Sequence, residues 1–419
     1  MPWQTLARVD AANLVLDHAG QVNVFLIAGV AEPGGFLGGD GSVDLALLRA
    51  DLAERVVEIP ELRQVLATDR RGRHGWSDRA PDLDAHVRLL PPLADLGDLQ
   101  QRCAQLMSEP LPRDRPLWEL LLLPGAGAGR AAFILRIHHA IADGAAAVQL
   151  VRRLFAAPGA RDAESPPAVA DDRSATPWDV RRALVALRRI VATVAGRGTG
   201  ATVLTGERSA THGVAFCRAD VATLRARGAE HGATVNDVLL SAVAAGYRAL
   251  LTADGLPAPR EVTVSIPVAL ARRGAARNQV GVMLVALPLS DMTPEARLAA
   301  IAARTRREKV QARAQGTLEL MRGPIGARIM DRVAARQTLV DGFVTDVPGP
   351  RGALSLAGAP VLSVWPVAVL AANVRLGVAA VSYRGSLWCG IHFDAGHVHG
   401  ETFATAMRAD LAAAPPPTR

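Results

Sequence analysis

The chain has 419 residues, half of them apolar, with 47 basic and 40 acidic side chains and a formal net charge of +7. That length exceeds what one hydrophobic core usually organises, so two or three domains are expected, and charge spread along an apolar-rich chain excludes a disordered protein. The basic side is almost wholly arginine, Lys309 being the sole lysine. Its excess favours anionic partners such as lipid headgroups or a phosphorylated cofactor, while scarce aromatics and the lack of zinc-finger or RNA-binding patterns argue against nucleic acid.

Taken in chain order, "MPWQTLARVDAANLVLD" carries early charges and no apolar core ahead of a cleavage site, so no secretory signal is expected. Strand-like runs, "VNVFLIAGV" and "AAFILRIHH", then alternate with helical ones, "DLALLRADLAERVVEI" and "GDLQQRCAQLMSEPL". This is an α/β layout. The Pro-, Gly- and acid-rich stretch from Ala156 to Pro177 reads as an exposed connector, followed by "DVRRALVALRRIVATVAGR", a basic amphipathic helix suited either to anionic lipid or to a solvated face. The predicted division is a first domain over 1–155, a linker over 156–210 and a second domain over 211–419. The second part resumes with the helix "ATVNDVLLSAVAAGYRALL", where Thr234 is placed to cap the first turn. It continues with strand candidates "EVTVSIPVAL", "VGVMLVALPL", "APVLSVWPV", "NVRLGVAAVSY" and "SLWCGIHFD".

The uncharged run from Gly352 to Val374 is long enough to span a bilayer, but Pro360, Pro366 and Asn373 break it into two buried strands and a turn. Cys103, Cys217 and Cys389 are odd in number and far apart, which argues against a disulfide framework and places the protein in a reducing cytoplasm.

The chemistry concentrates in "IHHAIADG", Ile137 to Gly144. Adjacent strand residues point to opposite faces, so only one of His138 and His139 is expected to be chemical, and Gly144 permits a tight exit into the following helix. On spacing alone three readings stay open: a polar strand end, a metal site built from imidazole and carboxylate, and a general base whose pKa lies near working pH. "HFDAGHVHG" offers a second set of ligands, His392, Asp394, His397 and His399, but a strand-to-loop transition scatters them; it reads as a solvated histidine-rich loop, and no metal is expected.

Other stretches fall in order around the motif: "RPLWEL" (Arg115 to Leu120), "ATVNDVLL" (Ala233 to Leu240), "DVPGP" (Asp346 to Pro350) and "VSYRGSLWCG" (Val381 to Gly390). Together they resemble the bacterial wax ester synthase/acyl-CoA:diacylglycerol acyltransferase family, within the HHxxxDG acyltransferases that include chloramphenicol acetyltransferase and condensation domains. The resemblance implies an α/β fold of two chloramphenicol-acetyltransferase-like domains with an active-site tunnel between them. It implies His139 as general base, His138 as a geometric support, Asp143 as a structural residue held by an arginine, and Gly144 completing the motif. It further implies acyl-CoA as co-substrate with no bound cofactor, a hydrophobic alcohol acceptor, and peripheral attachment to the inner membrane or lipid inclusions.

Asn236 is the candidate oxyanion donor, near a helix N-terminus, and Asp237 beside it is offered with it for the substrate, with a helix cap carrying Asp237 in the first turn as the other reading. Trp118 either lines an acyl channel or packs the core. Departures from the family pattern include Ala269 and Ala271 where Ser and Arg are common, Arg277 for glycine, Gly281 for a small hydroxyl residue, and Asp346 for asparagine. The stretch around "GQVNVFLIAG" lacks a histidine often found there. These changes leave His139 intact and bear on the acceptor.

Overall fold

The computed structural model describes residues 3–18, 20–142, 144–156, 203–253, 255, 258–269, 280–315 and 324–413. The basic helix expected over 179–197, Asp143, and the substituted positions Ala271 and Arg277 lie outside them.

In chain order, β1 is Gln4–Thr5, α1 Arg8–Val15, β2 Val24–Ala31, α2 Leu45–Val57, β3 Gln64–Thr68, β4 His74–Asp78, α3 Leu83–His86, β5 Val87–Leu89, α4 Leu96–Leu106, β6 Trp118–Pro124, β7 Ala131–His138 and α5 Gly144–Leu154. There follow β8 His212–Asp220, α6 Val221–Ala229, α7 Val235–Ala253, β9 Glu261–Ala269, β10 Val280–Pro288, α8 Pro294–Gln315, α9 Pro324–Ala334 and β11 Gly342–Val347. The chain closes with β12 Ser355–Leu356, β13 Ala359–Val367, β14 Leu376–Tyr383, β15 Ser386–Asp394 and α10 Gly400–Ala412.

The chain folds into two compact units. The first takes residues 1–165, and also 347–369 and 381–384, so part of the late sequence expected in the second domain belongs here. Its main sheet runs β12-β13-β2-β7-β6-β5, beside a small β1-β4-β3 sheet. β13 joins it by antiparallel pairing with β2, Trp365 opposite Ala28. The Ala357–Gly358 turn between β12 and β13 has both φ values positive, 43° and 87°, the geometry that matches a two-residue hairpin to the twist of its strands. The 352–374 run thus holds two strands and a turn as expected, but Pro360 and Pro366 lie within β13 and the break is the Ala357–Gly358 turn.

β7 is buried at all eight positions, as a central strand flanked by β2 and β6 must be. Gly29 of β2 is a packing glycine: a Cβ there would meet Phe133 Cζ at 2.3 Å and the Ser363 carbonyl at 2.4 Å. An ion pair enters this core. Arg136 of β7 faces Glu119 of β6 directly across the ladder and forms a buried ion pair with it, and Arg88 binds the other Glu119 oxygen at 2.7 Å. Burial would raise the Glu119 pKa, but the two guanidiniums outweigh it and hold the carboxyl below its ordinary range. α2 presents Leu48, Leu52 and Val56, spaced four apart, as its buried stripe, and Asp44 caps it by accepting from the Leu47 N–H at 2.9 Å.

The second unit holds residues 166–346, 370–380 and 385–419 around the sheet β10-β9-β11-β14-β15-β8. α7 is its central helix, buried from Asp237 through Ala244, and its Tyr247 meets Phe403 of α10 edge-on at 5.0 Å. Among the described residues no helix is long and apolar enough to cross a membrane.

Candidate active site

The two histidines separate as strand alternation requires. His138, last residue of β7 and 1% exposed, lies opposite Val24 of β2. Its Nδ1 accepts the Ala140 backbone N–H at 2.9 Å, which leaves the proton on Nε2 in the neutral ring. That Nε2 lies 3.3 Å from Asp17 Oδ2 without meeting the alignment of a straight hydrogen bond. His139 is half-buried and its ring sits 4.9 Å from Phe25, tilted by 58°.

The backbone of His139 is tied on both sides. Its N–H donates to the Asn23 carbonyl at 3.0 Å, and its carbonyl accepts from Asn13 Nδ2 at 3.1 Å. Asn23 Nδ2 donates in turn to the Asn13 carbonyl at 2.8 Å, and the Asn23 N–H donates to Asp17 Oδ1 at 3.0 Å. Arg113 closes the network with Nη2 at 2.8 Å from Asp17 Oδ2 and 3.0 Å from the Asp17 carbonyl. Burial would raise the Asp17 pKa, but the close approach of His138 and the hydrogen bonds from Arg113 and the Asn23 N–H outweigh it and hold the carboxyl far below the usual carboxylate range. Asn13, Asp17, Asn23 and Arg113 were not singled out in the sequence. The one available signal was the cluster of polar residues bordering the β2 run.

Gly144 opens α5, exposed, with φ outside the left-handed region. A Cβ there would meet only Val347 Cγ2 at 3.7 Å, so the tight exit expected from glycine's freedom is not what the described surroundings demand. Asp143 lies outside the described residues. Trp118 is a core residue: 1% exposed, packed against His86 at 4.7 Å, its Nε1 donating to the Leu62 carbonyl at 2.9 Å.

In the second unit Asp237 is engaged as a cap. Its Oδ2 accepts from the Thr234 N–H and Oγ1, both at 2.8 Å, and its Oδ1 from Thr305 Oγ1 at 2.6 Å. Those bonds occupy the carboxylate that the sequence also offered for substrate. Neighbouring Asn236 is half-buried in the first turn of α7 and its amide makes no hydrogen bond among the described residues. Asp346, at the end of β11, likewise has no hydrogen bond or ion pair among them, and burial pushes its carboxyl up to about 6.

The region expected to be a solvated histidine loop divides: His397 and His399 are exposed after β15, but His392 and Asp394 are not. His392 and Asp394 are each 1% exposed, because β15 is buried along its whole length. His392 Nε2 lies 2.7 Å from His212 Nδ1 of β8, and Asp394 binds His397 Nδ1 at 2.9 Å. Among the described residues no cluster of three His, Cys, Asp or Glu is placed to hold a metal ion.

Residues 6–212 match the wax ester synthase/diacylglycerol acyltransferase catalytic domain and residues 276–413 the WS/DGAT C-terminal domain. Rv3371 of Mycobacterium tuberculosis, which bears a provisional diacylglycerol O-acyltransferase name, is 30% identical over 363 residues, 83% of this chain and 77% of its own. Against Rv0895 of the same organism, which bears the same kind of provisional name, the chain is 29% identical over 337 residues and spans 66% of that protein's length. Among solved structures, the wax ester synthase/diacylglycerol acyltransferase of Marinobacter aquaeolei superposes with a TM-score of 0.73 at 20% identity, covering 98% of both chains. The first condensation domain of the CDA synthetase gives 0.64 at 18% identity, covering 100% of this chain and 98% of that one. These likenesses carry the two-domain, chloramphenicol-acetyltransferase-like α/β fold. By its domain matches and its identity to Rv3371, the chain belongs to the wax ester synthase/diacylglycerol acyltransferase family.

Proposed function

We propose that the protein transfers the acyl group of an acyl-CoA to the hydroxyl of a fatty alcohol or diacylglycerol, with His139 as the general base. The observation that carries this reading is the division of labour in the histidine pair. One ring is buried and held by its neighbours, while the other is half-exposed on a backbone pinned at both its N–H and its C=O. An alcohol is a poor nucleophile at neutral pH, so His139 takes its proton as the oxygen attacks the thioester carbonyl. The tetrahedral intermediate collapses, the C–S bond breaks, and the imidazolium returns the proton to the departing thiolate. Ester and free CoA result, with no acyl-enzyme, metal or prosthetic group.

The unengaged Asn236 amide is the proposed oxyanion donor, supported by its place in the first turn of α7. Asp143 and Gly144 complete the motif around the base. Water-insoluble acceptors favour a cytoplasmic enzyme working peripherally at the inner membrane or at lipid inclusions. A second reading keeps the chemistry and changes the acceptor to a polar alcohol or an amine. It is favoured by Asp346, a carboxyl with no ion pair among the described residues where the family pattern leads one to expect an amide.

The test is thiol release from long-chain acyl-CoA with hexadecanol, diacylglycerol, polar alcohols and amines, or no acceptor, with His139→Ala as control. Release dependent on a lipid alcohol supports the first reading, and release dependent only on polar acceptors the second. No release with any acceptor overturns both and leaves a lipid-binding relative without turnover.

A further inference from the structure

We propose that Asp17, anchored by Arg113, is a positioning residue for the acyl transfer: it orients His138 from the Nε2 side and, through Asn23 and Asn13, fixes the backbone that carries His139. The inference rests on His139 being the base. Asp17 is on no motif of the chain, yet among the described residues it reaches both histidines. Its Oδ2 faces His138 Nε2 at 3.3 Å, and its Oδ1 accepts from the Asn23 N–H at 3.0 Å. The carbonyl of that same Asn23 holds the His139 N–H.

The geometry gives each contact a direction. With Ala140 donating to Nδ1, the His138 ring presents a donor, not an acceptor, to Asp17. That Nε2 is buried and has no other partner among the described residues, so a carboxylate is the group that satisfies it. Asp17 is kept ionised by Arg113, and the groups facing it are His138 from β7, Arg113 from the segment before β6, and the Asn23 N–H at the start of β2. The distance to His138 is long for a hydrogen bond, as contacts in resting sites commonly are before substrate tightens them. A base displaced by about 1 Å loses on the order of 100-fold in rate, so the clamp acts on turnover more than on binding.

Three variants test it: Asp17→Asn, Asp17→Glu and Arg113→Ala. Asp17→Asn is expected to lower kcat by about 10- to 100-fold with KM for acyl-CoA unchanged within about twofold, and Asp17→Glu to recover part of the loss. Arg113→Ala removes the cation that keeps Asp17 ionised, so the acid limb of its kcat–pH profile moves to higher pH, a shift that loss of packing alone does not produce. Thermal unfolding of each variant identifies any that fails to fold, and Asp17→Glu then carries the kinetic comparison. In 15N-histidine NMR the wild-type His138 should show an Nε2–H in slow exchange with water, lost or accelerated in Asp17→Asn.

Wild-type turnover with Asp17→Asn equally fast and Arg113→Ala unshifted in pH overturns the inference while leaving the acyltransfer reading intact. A wild type inactive with every acceptor sinks the acyltransfer reading instead. In that case an unchanged His138 signal in Asp17→Asn overturns the orienting role as well, and a lost signal upholds it.

Discussion

Each unit of this protein places two histidines beside an aspartate at the end of a strand, and the two sites put the same side chains to different ends. In the first, His138 and His139 are neighbours in sequence and therefore face opposite ways, one ring into the core and one half-exposed. In the second, His212 and His392 come from paired strands and stack at 4.9 Å, joined through Nδ1 and Nε2 at 2.7 Å. Asp17 is clamped by Arg113 and turns one oxygen toward a histidine. Asp394 is consumed by the Ser209 N–H and hydroxyl, the Gly396 N–H and His397. What separates the two sites is the hydrogen-bond network, which residue types alone do not report.

The largest expected effect breaks this contrast at the first site. His139→Ala should lower kcat by about 1,000-fold, within the span of general-base catalysis, while a half-exposed ring leaves the melting temperature within about 2 °C. Stopped-flow thiol detection alongside thermal melts reads both numbers from one preparation. A kcat reduced less than tenfold removes His139 from the reaction.

The second-unit counterpart should invert that pattern. Asp394→Ala leaves the Ser209 and Gly396 N–H groups and the Arg375 guanidinium without their carboxylate, so a loss of about 2–4 kcal/mol in denaturant unfolding is expected, with kcat per folded molecule unchanged. Burial would raise the Asp394 pKa, but the Ser209 and His397 bonds hold it below the ordinary range. Its contribution is therefore full above the unfolded carboxyl's pKa, about 4, and disappears as pH falls through the lower folded value.

The two regions also differ in how far sequence reveals them. β2, β7, β13 and β15 stand where nearly continuous apolar runs place them, because a strand largely buried on both faces needs no partner to be recognised, whereas β9 shows itself by alternation, with Val262, Val264 and Ile266 buried and Thr263 and Ser265 half-buried. Alternation gave the opposed faces of His138 and His139 for the same reason. The Asn13–Asp17–Asn23–Arg113 network has no period: its members lie on α1, a loop, the edge of β2 and the approach to β6, and only the folded chain brings them together. The His212–His392 contact depends on the register of β15 against β8, with Asp394 opposite His212, which no local pattern encodes. The passage of β13 into the first sheet was hidden likewise, since a linear reading assigns each strand to the domain whose neighbours it has in sequence.

Asp346 sharpens the comparison as a carboxylate that neither site engages. Its folded pKa of about 6 lies above the unfolded value, so the folded state binds the extra proton and stability declines as pH rises from about 4 to about 6. Asp346→Asn should abolish that decline and gain about 1–3 kcal/mol at pH 8 in urea unfolding. Activity of the variant on lipid alcohols relative to amines also tests whether this carboxyl selects the acceptor. An unchanged preference removes the support for the polar-acceptor reading.

The smallest expected effect concerns His212, whose pKa is pushed down by burial and by Arg208, against an opposing pull from Asp394. Below about pH 6.5 the unfolded chain binds a proton that the folded ring resists, so His212 subtracts stability as pH falls toward its folded pKa and contributes nothing above the unfolded one. His212→Gln keeps a group able to hydrogen-bond His392 and should flatten the stability–pH curve by under about 1 kcal/mol between pH 7.5 and 5.5. The kcat–pH profile of that variant should overlay the wild type, since the pair is bonded to itself and takes no proton from substrate. A displaced acid limb in His212→Gln would mean that the second pair is coupled to turnover, and the contrast drawn between the two sites would then fail.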